Sequence, residues 1–115
     1  MATATKKLKS FEINGVVCNE WYLNDALGVN NLVFRVGTVH GMFGKFEEGT
    51  LQLIAIGNDE IGNGDFSKAM DWYEKTAFDM GLKPEVVEIW NQRLKKHLIE
   101  KRGYVLSSRG VVKND

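Results

Sequence analysis

The sequence predicts a mixed α/β domain of the α+β type, in which antiparallel strands come first and a β-α-β-α-β run follows. Three short β-branched and aromatic segments before residue 57 are separated only by turns, and this spacing favours antiparallel pairing. After residue 64, a helical period is followed by a strand, a second helix and a last strand, which predicts a parallel crossover. Because 115 residues fit one domain, we expect a single domain over residues 1–115 with flexible ends at 1–7 and 112–115.

The N-terminal elements are predicted from alternation and turn residues. Residues 8–13 alternate like a strand, and Asn14-Gly15 is a turn that fits either a hairpin or a strand-to-helix connection. Residues 19–27 are predicted as a short helix with Asn19 as its N-cap. Three strands follow, at residues 32–36, 39–43 and 50–56. The third is apolar on both faces, which predicts a place inside the sheet.

The C-terminal half carries a clear helical period. Six residues lie on one stripe of a helix that ends at Gly81: Phe66, Ala69, Met70, Tyr73, Ala77 and Met80. Residues 86–90 form a β-branched run that predicts a strand. Asn91 is then the N-cap of a second helix over residues 92–102, and residues 104–108 predict the last strand.

Composition excludes several classes of protein. With one cysteine and two histidines, the chain has no internal disulfide and no Cys/His zinc site, so we assign no metal ligands. No apolar run approaches the ~20 residues that span a bilayer, and residues 1–10 lack the apolar core of a signal peptide. We therefore expect a cytoplasmic protein without membrane contact.

The net charge of zero hides an uneven distribution of charge. Residues 57–90 carry 3 basic and 8 acidic side chains, whereas residues 91–115 carry 7 basic and 2 acidic ones. Either these are solvated faces that attract each other in the fold, or the basic end meets phosphates. Nucleic-acid binding would use Arg93, Lys95, Lys96, Lys101, Arg102 and Arg109. Because the net charge is zero and no aromatic residues interleave with these cations, nucleic acid is the least favoured partner.

Three short motifs stand in order between residues 32 and 108. Residues 36–41 are Val-Gly-Thr-Val-His-Gly, and residues 59–64 are Asp-Glu-Ile-Gly-Asn-Gly. The third motif has two parts, Ile-Trp-Asn at residues 89–91 before the last helix and Arg-Gly-Tyr at residues 102–104 at its end. In this order they resemble the D/N-G-x-x-v-G turn, the Q/R-x-x-G-x-G/A loop and the strand-Asn-helix-Gly-aromatic ending of the GNAT N-acetyltransferase superfamily. The resemblance implies a GNAT-like mixed sheet.

The same resemblance implies an acyl-CoA-dependent N-acyltransferase with acetyl-CoA as the donor. In the family, the glycine loop cradles the diphosphate of acetyl-CoA, and the splayed end of the fourth strand pairs with its pantetheine arm. A helix N-terminus presents unpaired N–H groups, and glycines let a phosphate approach them closely. The cofactor-binding residues implied are Ile54, Ile56, Gly62, Asn63, Gly64, Asp65, Phe66 and Asn91. The alternative is that the glycines only permit a tight strand-to-helix turn.

The glycine loop departs from the family pattern in its charge. Asp59 stands where the family has Gln or Arg, and Glu60 follows it. Asp65 is a preferred N-cap residue, so we expect its carboxylate to compete with a ligand for the first N–H groups of the helix. Three carboxylates around an anion site repel a phosphate, and Lys68 is the only compensating cation nearby in the sequence.

The sequence assigns no catalytic residue. The tyrosine with which the family often protonates the leaving thiolate falls at Leu98 or Ile99. The adjacent His97 could donate a proton, but a lone histidine on a basic helix is more often a solvent-facing residue. His40 and Glu88 are titratable residues that could reach a cleft from their predicted strands. The second reading is therefore a non-catalytic GNAT-fold binding or structural module, similar to internal virion proteins of some bacteriophages. Four aromatic residues would then cover a homodimer or protein-partner surface: Phe11, Trp21, Tyr22 and Trp72.

Overall fold

The structure is a computed structural model, and it describes residues 6–24, 29–47, 49–60, 62–87 and 91–114. Within these ranges the chain forms strands and two helices. In chain order they are β1 (Lys6–Ile13), β2 (Val16–Asn24), β3 (Val29–Val36), β4 (Val39–Glu47), β5 (Thr50–Asn58), α1 (Asp65–Asp79), β6 (Lys83–Val87), α2 (Gln92–Arg102), β7 (Val105–Leu106) and β8 (Gly110–Val112).

All the strands belong to one sheet with the order β1-β2-β3-β4-β5-β6-β8-β7. Strands β5 and β6 are parallel, and every other neighbouring pair is antiparallel. The predicted mixed α/β class, the antiparallel N-terminal strands and the parallel crossover through α1 are confirmed. The sheet dominates the fold, because it holds 8 strands against two helices among the described residues.

The N-terminal segment is a hairpin, and the predicted helix over residues 19–27 is wrong. Asn14 and Gly15 both have positive φ, 47° and 84°, which is the backbone of a tight hairpin turn. Strand β2 follows the turn and pairs with β1 on one side and β3 on the other. Strand pairing on both sides satisfies its backbone, and it places Cys18 in the core. Residues 25–28 lie outside the described residues.

Parts of both ends that were expected to be flexible lie in strands. Residues 6 and 7 belong to β1, while residues 1–5 and 115 lie outside the described part of the chain. At the other end, Val112 is in β8, and the N–H of Lys113 donates to the carbonyl of Pro84 at 2.9 Å. The ends expected to be flexible therefore extend the sheet at two places.

The C-terminal strands differ in their bounds from the prediction. Strand β6 begins at Lys83 rather than residue 86, and residues 88–90 lie outside the described ranges. The predicted strand over residues 104–108 is instead a hairpin of β7 and β8. At Gly110 a Cβ would lie 2.1 Å from the carbonyl oxygen of Val86, so only glycine allows β8 to pair with β6 here.

Both helices pack on one face of the sheet, which we call the helix face. Phe34 of β3 and Phe43 of β4 meet Trp72 of α1 at ring-centroid distances of 4.8 and 5.7 Å. Leu98 of α2 is buried in the same core. Trp72 is 8% exposed and its Nε1 donates to the carbonyl of Ile13 at 2.8 Å, so the prediction that it covers a partner surface is wrong. The side chains of residues 11, 21 and 22 lie outside the description.

A buried charge cluster ties the two helices to the end of the chain. The carboxylate of Glu74 on α1 accepts hydrogen bonds from Arg102 at 2.8 Å, Lys113 at 3.1 Å and the hydroxyl of Tyr104 at 3.1 Å. Burial raises the pKa of Glu74, but the hydrogen bonds and charges of Arg102 and Lys113 outweigh it and lower the pKa overall. The cluster fixes how α2 lies on α1, and through that the space between their N-termini.

Candidate functional site

Strands β5 and β6 are paired along only part of β5 in the described part of the chain. Their parallel pairing runs from Thr50 with Lys83 to Leu53 with Val86. Strand β5 then continues to Asn58, paired with β4 alone among the described residues. The register with β4 skips Ile54, which marks a β-bulge, and a bulge bends the strand that carries it. The outer edge of residues 54–58 is therefore left without a strand neighbour in the described part of the chain.

The hydroxyl of Tyr73 joins the two strands within their paired stretch. It donates to the carbonyl of Leu51 at 2.6 Å and accepts from the N–H of Glu85 at 2.8 Å. Pro84, which pairs with Leu51, has no N–H to donate to β5. Burial raises the pKa of Tyr73 well above its usual value. The prediction that Tyr73 is a core residue is confirmed, because its ring is buried and its hydroxyl is hydrogen-bonded to the backbone of both strands.

A cleft of about 490 Å³ opens beside the last residues of β5. It lies between the end of β5 and the beginnings of both helices. Its lining residues are Ile56, Gly57, Asn58, Phe66, Asn91, Arg93, Leu94 and His97. The cleft thus combines apolar walls with one cation, and this volume is in the range of small-molecule sites.

The N-terminus of α1 is not capped by a side chain. Its N-cap residue is Gly64, in the left-handed conformation with φ of 85°. Asn63 Oδ1 accepts the N–H of Asp65 at 3.0 Å, whereas the N–H groups of Phe66 and Ser67 have no acceptor among the described residues. Because Phe66 lines the cleft, these free amides and their partial positive charge lie at its edge.

The expectation that Asp65 caps its own helix is wrong. Its carboxylate instead turns to the β3–β4 turn, where it accepts the N–H of Thr38 at 2.9 Å and the Thr38 hydroxyl at 3.3 Å. A Cβ on Gly37 would lie 2.1 Å from this carboxylate, so the glycine of the turn makes room for it. Asp65, which was expected to compete with a ligand for the helix amides, therefore holds the loop against the β3–β4 turn.

The other two carboxylates of the loop also have partners that the sequence did not indicate. Asp59 pairs with Arg35 at 3.2 Å and with His40 at 3.2 Å. Glu60 accepts a hydrogen bond from Asn63 at 3.3 Å. Each exposed pair is weak, yet the pairs fix where the negative charge lies. The expectation that Lys68 alone offsets these carboxylates is wrong, because Arg35 of β3 meets Asp59 directly.

Helix α2 differs from α1 because it has a side-chain cap. Asn91 Oδ1 accepts the N–H groups of Arg93 at 3.0 Å and Leu94 at 3.1 Å, which confirms the predicted cap. The amides of α2 are therefore partly used by its own N-cap. Of the two helix ends at the cleft, α1 has two amides without an acceptor, those of Phe66 and Ser67, whereas in α2 only the N–H of Gln92 has no acceptor among the described residues.

His97 is the titratable group of α2 that faces the cleft. Its ring meets the ring of Phe66 edge-on, at a centroid distance of 5.6 Å. Its Nε2 is buried and has no hydrogen-bond partner in the described part of the chain. Buried nitrogens normally have a partner, so a ligand group or a water in the cleft would satisfy this one. Leu98 is fully buried, and Ile99 lines a separate groove beside Leu106, so neither position of the family tyrosine faces the cleft.

The predicted cofactor residues are only partly brought together. Ile56, Phe66 and Asn91 line the cleft, and Gly62, Asn63 and Gly64 form the exposed loop that leads into α1. Ile54 and Asp65 do not line it: a Cβ on Gly44 would lie 2.6 Å from the Ile54 side chain, and Asp65 bonds to Thr38. The cleft residues that the prediction of cofactor contacts missed are Gly57, Asn58, Arg93, Leu94 and His97, of which the sequence had named His97 only as a candidate proton donor. The helical spacing of Arg93, Leu94 and His97 after the cap is the signal that would have found the last three.

The basic end of the chain is partly neutralised within the fold. Arg102 binds Glu74 and Asp71, and Arg109 binds the buried carboxylate of Glu85 at 2.9 Å. Two of the six cations proposed for nucleic-acid binding therefore hold carboxylates of the same chain.

Within the described residues, no helix is both long and apolar enough to cross a membrane. In the same part of the chain, no group of three or more His, Cys, Asp and Glu side chains is placed to hold a metal ion. Comparison of the chain with protein-family models, with curated proteins and with solved structures finds no match.

Proposed function

We propose that this chain is a small GNAT-type protein that binds an acyl-CoA thioester, with acetyl-CoA as the first candidate, and transfers the acyl group to an amine. One observation carries the proposal: a cleft lies between the end of β5 and the first turns of α1 and α2, and two N–H groups in the first turn of α1 have no acceptor among the described residues. The element order, with antiparallel strands followed by β5-α1-β6-α2-β7, supports the resemblance that the motifs indicate.

Three groups of this chain suit the parts of such a donor. The free N–H groups of Phe66 and Ser67 suit a diphosphate, and Gly64 leaves them open to close approach. The outer edge of residues 54–58, which has no partner among the described strands, suits the amide groups of a pantetheine arm, which would pair with it as a strand does. Arg93 supplies the cation at the cleft that the acidic loop lacks. The donor itself supplies an acyl group activated as a thioester.

The buried Nε2 of His97 is an independent sign that the cleft takes a polar ligand. A histidine nitrogen without a partner is costly to bury, and the cleft is the open space that its ring borders. His97 therefore has the role of a contact residue in this proposal, as a donor or acceptor to the bound molecule.

Calorimetry with acetyl-CoA tests the proposal, and the chain offers a matched pair of variants. Gly64 and Gly81 both have positive φ, 85° and 75°, and a Cβ on either meets no atom within 4 Å. Gly64→Leu and Gly81→Leu therefore carry similar backbone strain, about 1 kcal/mol each. Only the Gly64 side chain would stand beside the free amides of α1.

We expect wild type and Gly81→Leu to bind acetyl-CoA with the same Kd, and Gly64→Leu to bind at least about tenfold more weakly. Arg93→Gln should also weaken binding, and its loss should shrink as salt is raised. No binding heat from wild type at about 1 mM ligand would remove the proposal. Equal affinity of both leucine variants would show that the loop is not the anion site.

A second candidate is a non-catalytic binding or structural module of the same fold, for example in a bacteriophage particle. The observation in its favour is that the family tyrosine position falls on buried Leu98 or on Ile99, away from the cleft. The two candidates separate in one assay. Acetyl-CoA binding without any amine-dependent release of free thiol indicates the module, and release of thiol indicates the transferase.

A further inference from the structure

A groove lies between the outer side of α2 and β7, the strand at one edge of the sheet. It has a volume of about 340 Å³ and shares no lining residue with the cleft. Leu106 pairs with the core residue Val111, so its side chain lies on the helix face beside α2. We call this hollow the edge groove. Its lining residues are Gln92, Lys95, Lys96, Ile99, Glu100 and Leu106.

The α2 wall of the edge groove is one continuous stripe of the helix. Its five residues are spaced at i, i+3, i+4, i+7 and i+8, so they lie on the side turned away from the core residue Leu98. Lys95 and Lys96 form no ion pair in the described part of the chain. Glu100 is the one carboxylate among the described lining residues, so the stripe keeps a net positive charge.

Exposed apolar side chains are concentrated at this edge of the sheet. Among the described residues, the exposed large apolar side chains are those of Val17, Met80, Ile99, Val105 and Leu106, and the last three lie on α2 or β7. Ile99 and Leu106 line the edge groove, and Leu106 is 67% exposed. Val105 precedes Leu106 in the strand, so it points to the opposite face of the sheet. Exposed apolar side chains that are rimmed by charged ones favour a site for a polypeptide.

Strand β7 also presents backbone hydrogen-bonding groups. It is the last strand of the sheet order, so its outer edge has no neighbour among the described strands. The N–H of Ser107 donates to the carbonyl of Gly110 at 2.9 Å, which turns the backbone of Ser107 toward β8. Because inward and outward groups alternate along an antiparallel strand, the N–H and carbonyl of Leu106 point away from β8. An extended chain laid beside β7 would hydrogen-bond to both.

We propose that the edge groove binds an extended acidic peptide segment of a partner protein, which pairs with β7 as an added strand. Successive side chains of a strand alternate between faces, so every second side chain of the peptide faces α2. An apolar side chain there packs on Ile99 and Leu106, and a carboxylate two residues away pairs with Lys95 or Lys96. The net positive charge of the stripe selects against a basic segment.

Two other occupants fit the edge groove less well. A nucleic acid has no strand edge to pair with Leu106, and its phosphates would meet Glu100 as well as the two lysines. A second copy that paired through β7 about a two-fold axis would place both α2 stripes on the same side of one continuous sheet, and both stripes are net positive. An acidic strand uses the apolar, cationic and backbone groups of the groove together.

NMR titration of the full, isotope-labelled chain with a capped heptapeptide is the first test. The peptide Thr-Glu-Thr-Leu-Thr-Glu-Thr carries its leucine and both glutamates on one face of a strand, so either strand direction presents a carboxylate to the lysines. We expect saturable shifts of the Ile99 and Leu106 signals, and at least about tenfold weaker binding of Thr-Lys-Thr-Leu-Thr-Lys-Thr. Equal binding of both peptides, or no shift at about 5 mM acidic peptide, overturns the proposal.

Variants of the groove are the second test. Leu106→Ala should weaken binding of the acidic peptide at least about fivefold, while Val105→Ala, which truncates the neighbouring exposed side chain on the opposite face, should leave it unchanged. Lys96→Gln should weaken binding about 2- to 5-fold, and Glu100→Gln should tighten it by a similar factor. Both charge effects should shrink as salt is raised. Equal losses from Leu106→Ala and Val105→Ala would overturn the assignment of the peptide to the helix face.

Hydrogen exchange distinguishes an added strand from a peptide that only adheres to α2. When the peptide pairs with β7, the amide of Leu106 becomes a hydrogen-bond donor, so its exchange should slow at least about tenfold at saturation. Strand β1, at the opposite edge of the sheet, is the control and should keep its exchange rates. Unchanged exchange at Leu106 in the saturated complex overturns strand addition.

Two further outcomes would identify another occupant. Binding of a single-stranded oligonucleotide that Lys96→Gln weakens, without binding of the acidic peptide, assigns the groove to nucleic acid. A concentration-dependent dimer in sedimentation that Leu106→Ala abolishes assigns it to a second copy. Either result overturns the proposal. The tests use no acetyl-CoA and change no cleft residue, so their outcome is independent of the proposed function.

Discussion

Replacing Tyr73 by phenylalanine removes one buried oxygen that joins the paired stretch of β5 and β6. The hydroxyl accepts the N–H of Glu85 at 2.8 Å and donates to the carbonyl of Leu51 at 2.6 Å. Because Tyr73 has no exposed surface, water has no access to replace it. Tyr73→Phe therefore leaves one buried donor and one buried acceptor without partners, while the packing of the ring is kept.

The size of the effect follows from these two groups. A buried polar group left without a partner costs about 1–3 kcal/mol, so we expect Tyr73→Phe to lower the free energy of unfolding by about 3 kcal/mol. In a domain of this size that corresponds to a drop in Tm of roughly 10 °C. Tyr104→Phe is the matched control. It also removes a buried hydroxyl, but Glu74 keeps Arg102 and Lys113 as partners, so we expect a loss of about 1 kcal/mol.

Urea denaturation followed by tryptophan fluorescence measures both variants against wild type. The m-values should be equal, because the unfolded surface does not change. The reasoning is refuted if Tyr73→Phe costs less than Tyr104→Phe. It is also refuted if Tyr73→Phe lies within about 0.5 kcal/mol of wild type, the range of an ordinary surface change.

Three further predictions concern charge and access. The pKa of Glu74 is lower in the folded protein than its unfolded value of about 4.3, so its ionised carboxylate stabilises the fold above that pH, and this stability is lost as pH falls through the folded pKa. Between about pH 5 and 2, the unfolding free energy of wild type should therefore fall more steeply than that of Glu74→Gln. Burial raises the pKa of Cys18, so iodoacetamide should label it only through unfolding, at a rate that rises with urea. Glu60→Gln removes a negative charge from the glycine loop and should tighten acetyl-CoA binding about 2- to 5-fold by calorimetry, as expected for an exposed charge.

Each of these has an outcome that contradicts it. Parallel pH curves for wild type and Glu74→Gln would show that the carboxylate is not the acid-sensitive group. Labelling of Cys18 at the rate of a free thiol would show that the core is open at β2. Unchanged or weaker binding by Glu60→Gln would place the anion away from the loop.

The elements that local signals determine were predicted correctly. The Asn14-Gly15 turn, the Asn91 cap and the apolar stripe of α1 as far as Ala77 each depend on residues close together in the chain, whereas Met80, the last residue of the predicted stripe, lies beyond α1 and is 46% exposed. Strand β2 was mistaken for a helix because a polar N-cap residue and a following glycine resemble helix ends. The pairing of Cys18 with Phe34 that makes it a strand depends on β3, which lies further along the chain. Strand β8 is likewise defined by its pairing with β6.

The candidate site shows the same division. Its loop was recognisable because glycines between a strand and a helix mark a place where amides are left open. The direction in which Asp65 points was not predictable, because its partner Thr38 lies 27 residues away. The same is true of Asp59, whose partner Arg35 lies 24 residues away. Contacts of this length depend on the register of β3, β4 and β5, which the sequence pattern does not fix.

The parallel pair of described strands, β5 and β6, forms a boundary between two parts of the sheet, which we call the seam. Strands β1 to β5 form a meander in which each strand pairs with the next one in the chain, whereas β6 reaches β5 only after α1 has crossed the sheet. Local hairpins close early in folding, and pairings across a long connection close late. The cleft stands on this seam, so a molecule bound there would hold an early-forming part and a late-forming part together. Deuterium uptake at the backbone of residues 54–58 should therefore slow on binding more than uptake in the β1–β2 hairpin.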